Sequence, residues 1–180
     1  PDGLVVAGAF DAQIDFGGGA VTPDGPTAHS SGGQFLAGLT TGGDHRWTKG
    51  FPYLGSWGLH VAIGADGRVV LGGQCQSAHD WVGGDEVDCD PSGDPLLAAY
   101  DADGTNVWTA RWKGDGFGGV RDVAVAPDGT IAVVGAFGGT LDLGAGVLAA
   151  ADQADAFVMR VDASGNPLAS RSLGLAVTEG

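Results

Sequence analysis

DVAVAPDGTIAVVG, residues 122–135, reads as a strand, a tight turn and a second strand. Val123 and Val125 alternate with small residues ahead of Pro127-Asp128-Gly129, and Ile131, Val133 and Val134 follow it. Period-two alternation on either side of a Pro-Asp-Gly break is the pattern of a β-hairpin. Related versions stand at 60–72 (HVAIGADGRVVLG) and, cut short, at 1–8 (PDGLVVAG). The chain therefore reads as a row of similar β units.

A second marker sets the period. Gly43, Gly104 and Gly165 each close an Asp/Ser/Gly turn and lie 61 and 61 residues apart, while Gly3, Gly67 and Gly129 lie 64 and 62 apart. Two independent turn markers that agree on a period near 61 predict a repeat architecture. Each unit then holds strand a (60–64, 122–126), strand b (68–72, 130–135), a Gly/Asp-rich excursion, strand c (34–40, 96–101, 155–162) and strand d (45–49, 105–113, 166–173). Four short antiparallel strands per unit fit a β-propeller blade better than a solenoid coil. The expected units are 1–58, without its first strand, 59–120, with an insertion, and 121–180. Residues 175–180 (LAVTEG) are expected to complete or continue the ring. Three blades are too few to close one, since propellers run from 4 to 8, so closure calls for more chain or a second copy.

Composition agrees with an all-β class. Gly supplies 35 of 180 residues and Pro 8, so few windows escape a breaker for three helical turns. Disorder is the alternative at this Gly/Pro content. It loses because the glycines recur at fixed offsets beside β-branched residues. Acidic residues outnumber basic ones 22 to 8, for a net charge of −14. So negative a surface repels phosphate backbones and anionic lipid, so nucleic acid and membrane surfaces are not expected partners, and no apolar run approaches transmembrane length, so membrane insertion is not expected either. Cys75 and Cys89 sit 14 apart in one Gly/Asp-rich insertion, where a loop disulfide outside the cytosol is the simplest reading; reduced or metal-bound thiols are the alternatives. Pro1 falls inside a turn, as a processed or trimmed start would, so the lack of a signal peptide fixes no compartment.

The third unit resembles the bacterial β-propeller repeat of SBBP type through DVAVAPDG (122–129), IAVVGAF (131–137), DLG (142–144), DAFV (155–158) and DASGNPL (162–168). Unit one keeps Gly8-Ala9-Phe10, Asp15-Phe16-Gly17 and Trp47, whereas unit two departs with Gln74-Cys75. The resemblance spans nearly the whole chain. It implies a four-stranded-blade propeller in a secreted or surface-attached bacterial protein, and it implies no catalytic residues.

Candidate sites come from residues that the repeat leaves unexplained. Trp47 and Trp108 share one repeat position, where unit three has Ala169, so they read as blade-to-blade packing. Trp57, Trp81 and Trp112 have no counterparts; Trp112 is expected to be buried in strand d. Trp57, beside Phe51 and Tyr53, and Trp81, beside His79, are the expected stacking platforms for a sugar or a partner side chain. The segment CQSAHDWVGGDEVDCDPSGDP (75–95) adds the acids Asp80, Asp85, Glu86, Asp88, Asp90 and Asp94. The first five are the candidate ligands for calcium, the single cofactor considered, against the simpler reading of a stapled, solvated loop. Asp101 and Asp103 in DADG resemble the opening of a calcium loop, but TNVWTA lacks the remaining ligands and Asp-Gly is ordinary hairpin-turn chemistry. Asp15 and Asp142 recur in the excursions and are expected to bond loop amides.

Enzyme chemistry finds little support. His29, His45, His60 and His79 are scattered, and no GxSxG, HExxH or phosphate-binding glycine loop occurs. The expected function is a non-enzymatic extracellular binding scaffold, with protein or glycan ligand unspecified. The alternatives are a carbohydrate-binding propeller module and a propeller hydrolase or lyase with paired carboxylates.

Overall fold

The computed structural model describes residues 3–22, 32–52, 58–76, 80–81 and 86–174, with the backbone alone at 52, 80, 81 and 86. Every regular element among them is a strand. The first sheet pairs β1 (Gly3–Phe10), β2 (Gly33–Thr40) and β3 (His45–Pro52) in that order. Next, β4 (His60–Ile63) and β5 (Val69–Cys75) lead into a short ribbon of β6 (Asp80–Trp81) with β7 (Glu86–Val87). The main chain then returns through β8 (Asp94–Tyr100) and β9 (Asn106–Arg111), and β4-β5-β8-β9 make the second sheet. The third repeats the order with β10 (Gly118–Val125), β11 (Ile131–Phe137), a ribbon of β12 (Thr140–Asp142) with β13 (Val147–Ala149), then β14 (Asp155–Val161) and β15 (Pro167–Ser172). All pairings are antiparallel.

The all-β class, the four-stranded antiparallel sheets and the strand order a-b-c-d are thus present, and among the described residues the first sheet has no strand a. The excursions differ from expectation. Those of units two and three fold into the ribbons just named, and that of unit one holds an Ile14–Val21 bridge. Strand β10 also starts at Gly118, ahead of the expected 122, because a bulge between Val120 and Asp122 lets pairing with β11 resume.

The c–d turns share one geometry. The amides of Gly43, Gly104 and Gly165 bond the carbonyls of Thr40, Asp101 and Asp162 at 3.0, 3.1 and 3.0 Å. Each glycine has a positive φ, of 90°, 78° and 88°. A register break follows at the same rung of all three hairpins. This is the three-residue hairpin loop in which only glycine sits without strain.

The Asp carboxylates serve these bends. Asp101 Oδ1 accepts the amides of Asp103 and Thr105, and Asp162 Oδ1 those of Ser164 and Asn166. Asp15 does the same for Gly17 and Gly19, and Asp142 for Gly144.

Register corrects the other marker. Leu4 pairs with Leu39, Val69 with Tyr100 and Ile131 with Val161. Leu4, Val69 and Ile131 are therefore equivalent, and Gly3 stands at the rung of Arg68 and Thr130, not at that of Gly67 and Gly129.

The second sheet lies between the other two, and every residue of β5 and β8 is buried. Leu36, Phe51, Val69, Leu71, Leu96 and Tyr100 make the core between sheets one and two. Val70, Leu97, Val123, Val133, Phe157 and Met159 are part of the core between sheets two and three, where Trp112 is 7% exposed as expected, although it lies one residue past the end of β9 rather than within the strand.

Protonation ties these bends to pH. Hydrogen bonds from Ser92, Thr140, Thr130 and Asn166 hold the carboxyls of Asp90, Asp115, Asp128 and Asp162 below their ordinary 3.8. A carboxyl lowered in the folded state contributes stability above its unfolded pKa and loses it as pH falls through the folded one. The melting temperature is therefore expected to be flat with respect to these groups above pH about 5 and to fall below pH about 4. A melting curve that rises on acidification through that window contradicts the assignment.

Candidate functional site

Adjacent sheets are locked by a contact made twice. Trp47, on β3, donates its indole N–H to the carbonyl of Ala102 at 2.9 Å, in the c–d turn of sheet two. Trp108, on β9, donates to Ala163 at 3.0 Å, in the same turn of sheet three. Both bonds join residues 55 apart in sequence. The rings also lie on the turn glycines. A Cβ on Gly104 would stand 2.6 Å from Trp47, and one on Gly165 would stand 3.0 Å from Trp108. The packing role read from the recurrence of Trp47 and Trp108 is the one that this geometry gives them.

Beside the first lock a cleft of about 230 Å³ opens between sheets one and two. Val5, Trp47, Ile63 and Val69 form its apolar part, with Arg46 and Asp66 as its charges. Its origin is the Gly3 position. At the next junction the equivalent Arg68 sends its guanidinium across to the Ala163 carbonyl. Gly3 has no side chain to send, and Arg46 lies over it instead, 3.3 Å from where a Cβ would stand. Arg46 continues toward Asp103, at 3.6 Å. Asp66 is turned toward Arg68, whose amide it accepts at 3.1 Å. An indole edge, an aliphatic wall and a cation at the rim can hold a small flat group that offers an acceptor to Arg46. The volume lies below that of most drug-sized sites, so a single ring or one side chain fits better than an extended ligand.

The sites expected from sequence fare differently. Tyr53, Trp57, His79 and Asp85 lie outside the described residues, and Asp80, Trp81 and Glu86 are described as backbone, in the ribbon β6-β7. Two of the candidate calcium ligands remain. Asp88 faces Lys113 at 3.7 Å, and Asp90 accepts the Ser92 hydroxyl at 2.6 Å. Cys75 and Cys89 form the expected disulfide. Among the described residues, one set of three metal-capable groups converges within 4.8 Å, namely Cys75, Cys89 and Asp94. Both of its sulfurs are spent in the disulfide.

Asp94 and Asp155 went unsingled as a pair. Each opens strand c and is buried, at 1% and 6% exposed. Asp94 accepts the Asp90 amide and pairs with Arg111, both at 3.0 Å. Asp155 accepts the Ala151 amide at 2.8 Å and the Ser172 hydroxyl at 3.0 Å. The shared offsets of four residues back and 17 forward show one device used twice. Its sequence signal was the 61-residue spacing of the two acids, masked by the acidic run around Asp94. Burial also raises the Tyr100 phenol far above its usual range. That group sits in the core between sheets one and two and does not line the cleft.

No helix among the described residues is long and apolar enough to cross a membrane. A scan against protein-family models gave no match, and a search of curated proteins gave none either.

Proposed function

We propose that the three sheets are successive blades of a β-propeller, similar to the bacterial SBBP-type repeat, and that the chain works outside the cell as a binding scaffold. The observation that carries this reading is the repeated Trp lock, Trp47 on the Ala102–Gly104 turn and Trp108 on the Ala163–Gly165 turn. The same contact used in series is what a ring of alike units needs, and rigid sheets joined in this way hold their connecting loops in place for recognition. The Cys75–Cys89 disulfide favours an oxidising compartment, hence a secreted or surface-attached protein. The cleft at Arg46 and Trp47 supports a second reading, a carbohydrate-binding module, because an indole beside a charged donor suits one sugar ring.

Both readings meet one experiment. The intact chain is placed on arrays of extracellular glycans and of surface proteins, beside Arg46→Ala, Trp57→Ala and Trp81→Ala. Loss of a glycan signal in Arg46→Ala alone favours the cleft, and loss in either tryptophan variant favours the loops. Turnover of a polysaccharide substrate by the wild type, without stable binding to either array, would overturn the scaffold reading in favour of the hydrolase or lyase.

A further inference from the structure

Asp94 is buried with one oxygen unused. Its hydrogen bonds from the Asp90 amide and the Arg111 guanidinium both fall on Oδ2, each at 3.0 Å. The residue is 1% exposed, and Oδ1 has no partner. A buried acceptor left unpaired costs free energy and calls for a reason. The arrangement is particular to sheet two. Cys75, at the end of β5, stands opposite Asp94. On the same rung sheet three pairs Phe137 with Asp155, and sheet one pairs Phe10 with Gly33. Sheet two thus has a sulfur where the other two have an aromatic ring, and Cys89 returns from the excursion to meet it. The corresponding oxygen of Asp155 is not stranded in this way.

We infer that in the dithiol form Cys75, Cys89 and Asp94 bind one thiophilic divalent cation of the zinc class. The three ligand atoms already lie within 4.8 Å of one another. Four-coordinate Zn²⁺ holds sulfur at about 2.3 Å and carboxylate oxygen at about 2.0–2.2 Å, which sets its ligand atoms about 3.5–3.8 Å apart. With the S–S bond open, side-chain rotation reaches that spacing from cysteine Cα atoms 5.8 Å apart. The ion displaces one proton from each thiol to solvent. Two thiolates and a carboxylate then exceed the ion by one negative charge, which Arg111 cancels. Arg111 and the Asp90 amide, both on Oδ2, also fix the carboxylate from outside, as hydrogen bonds to a ligating group do.

A hollow of about 260 Å³ lined by Asp88, Cys89, Asp90, Pro91 and Lys113 gives the ion an entry path and a water as fourth ligand. Thiolates select Zn²⁺ over Ca²⁺, so this site is distinct from the calcium ligands expected among the loop acids. A secreted chain is made where thiols stay reduced, so it passes through the dithiol form before the disulfide closes. The inference needs only β5 and β8 in register and does not depend on the propeller reading.

The test is a Co²⁺ titration of the intact chain after reduction by a phosphine, which takes up the oxygen of one water and leaves two thiols. Circular dichroism must show the strands retained, since a reduced chain without them has no site and overturns the inference. One equivalent of Co²⁺ is expected to give a thiolate-to-cobalt charge-transfer band, which Zn²⁺ bleaches and Ca²⁺ leaves alone. The oxidised chain is expected to give no band. Asp94→Asn, reduced, is expected to weaken Co²⁺ binding by at least about tenfold, the smallest loss seen when groups outside a ligand shell are changed. Should that variant lose its strands, the reduced wild type decides: its melting temperature must rise with Zn²⁺ and not with Ca²⁺. A reduced chain without the band, a band that needs two chains per ion, or an Asp94→Asn affinity equal to that of the wild type overturns the inference.

Discussion

Gly104→Val is expected to destabilise the fold by about 2–6 kcal/mol, and the equivalent Gly165→Val by a similar amount. Two costs add at this position. The backbone of Gly104 lies at a φ of 78°, where a β-branched residue is strained by roughly 1–3 kcal/mol. The new side chain must also displace Trp47, whose ring lies 2.6 Å from the Cβ position, and overpacking of this kind costs about 1–3 kcal/mol. Gly43 is the internal control. It has the same turn and a φ of 90°, but nothing lies within 4 Å of its Cβ position. Gly43→Val should therefore show the backbone cost without the packing cost. Denaturant unfolding of the three variants measures the difference. Equal losses at positions 43 and 104 would mean that the indole contact adds nothing, and the proposed coupling between successive sheets would go with it.

The turn motifs made much of this legible before any coordinates. Strand alternation beside Pro-Asp-Gly and Asp-Gly bends gave the hairpins, because glycine at those bends is a backbone requirement that local sequence displays. The pairing of Trp47 with Trp108 was also visible, since a large residue recurring at one offset from a turn has few roles other than packing. What sequence hid were the consequences of register. Gly3 looked like a turn glycine, and only its pairing with Thr40 puts it at the rung of Arg68 and thereby opens the cleft. The cleft depends on a side chain that is missing, and a missing side chain leaves no motif. Asp94 was hidden differently. Among many acids its composition signalled solvation, whereas its place at the first rung of a central strand buries it.

That burial makes Arg111 the other position of large effect. Asp94 is 1% exposed, and one of its oxygens, Oδ1, has no hydrogen-bond partner. The other oxygen holds the Arg111 guanidinium at 3.0 Å, and Arg111 itself is 18% exposed. Removing one partner of a buried pair leaves an uncompensated charge and costs about 3–5 kcal/mol, so Arg111→Ala is expected near the lower end of that range. Asp94→Ala should cost less than Arg111→Ala, because the arginine left behind can reach water whereas the aspartate cannot. The equivalent Asp155 offers the comparison, since its partners are the neutral Ser172 hydroxyl and the Ala151 amide. Ser172→Ala should then cost only about 1–3 kcal/mol. Urea titrations of Arg111→Ala, Asp94→Ala and Ser172→Ala give the order directly. If Arg111→Ala proves no more damaging than Ser172→Ala, the ion pair does not neutralise the buried carboxylate, and strand c in sheet two is held by the Asp90 amide and the disulfide instead.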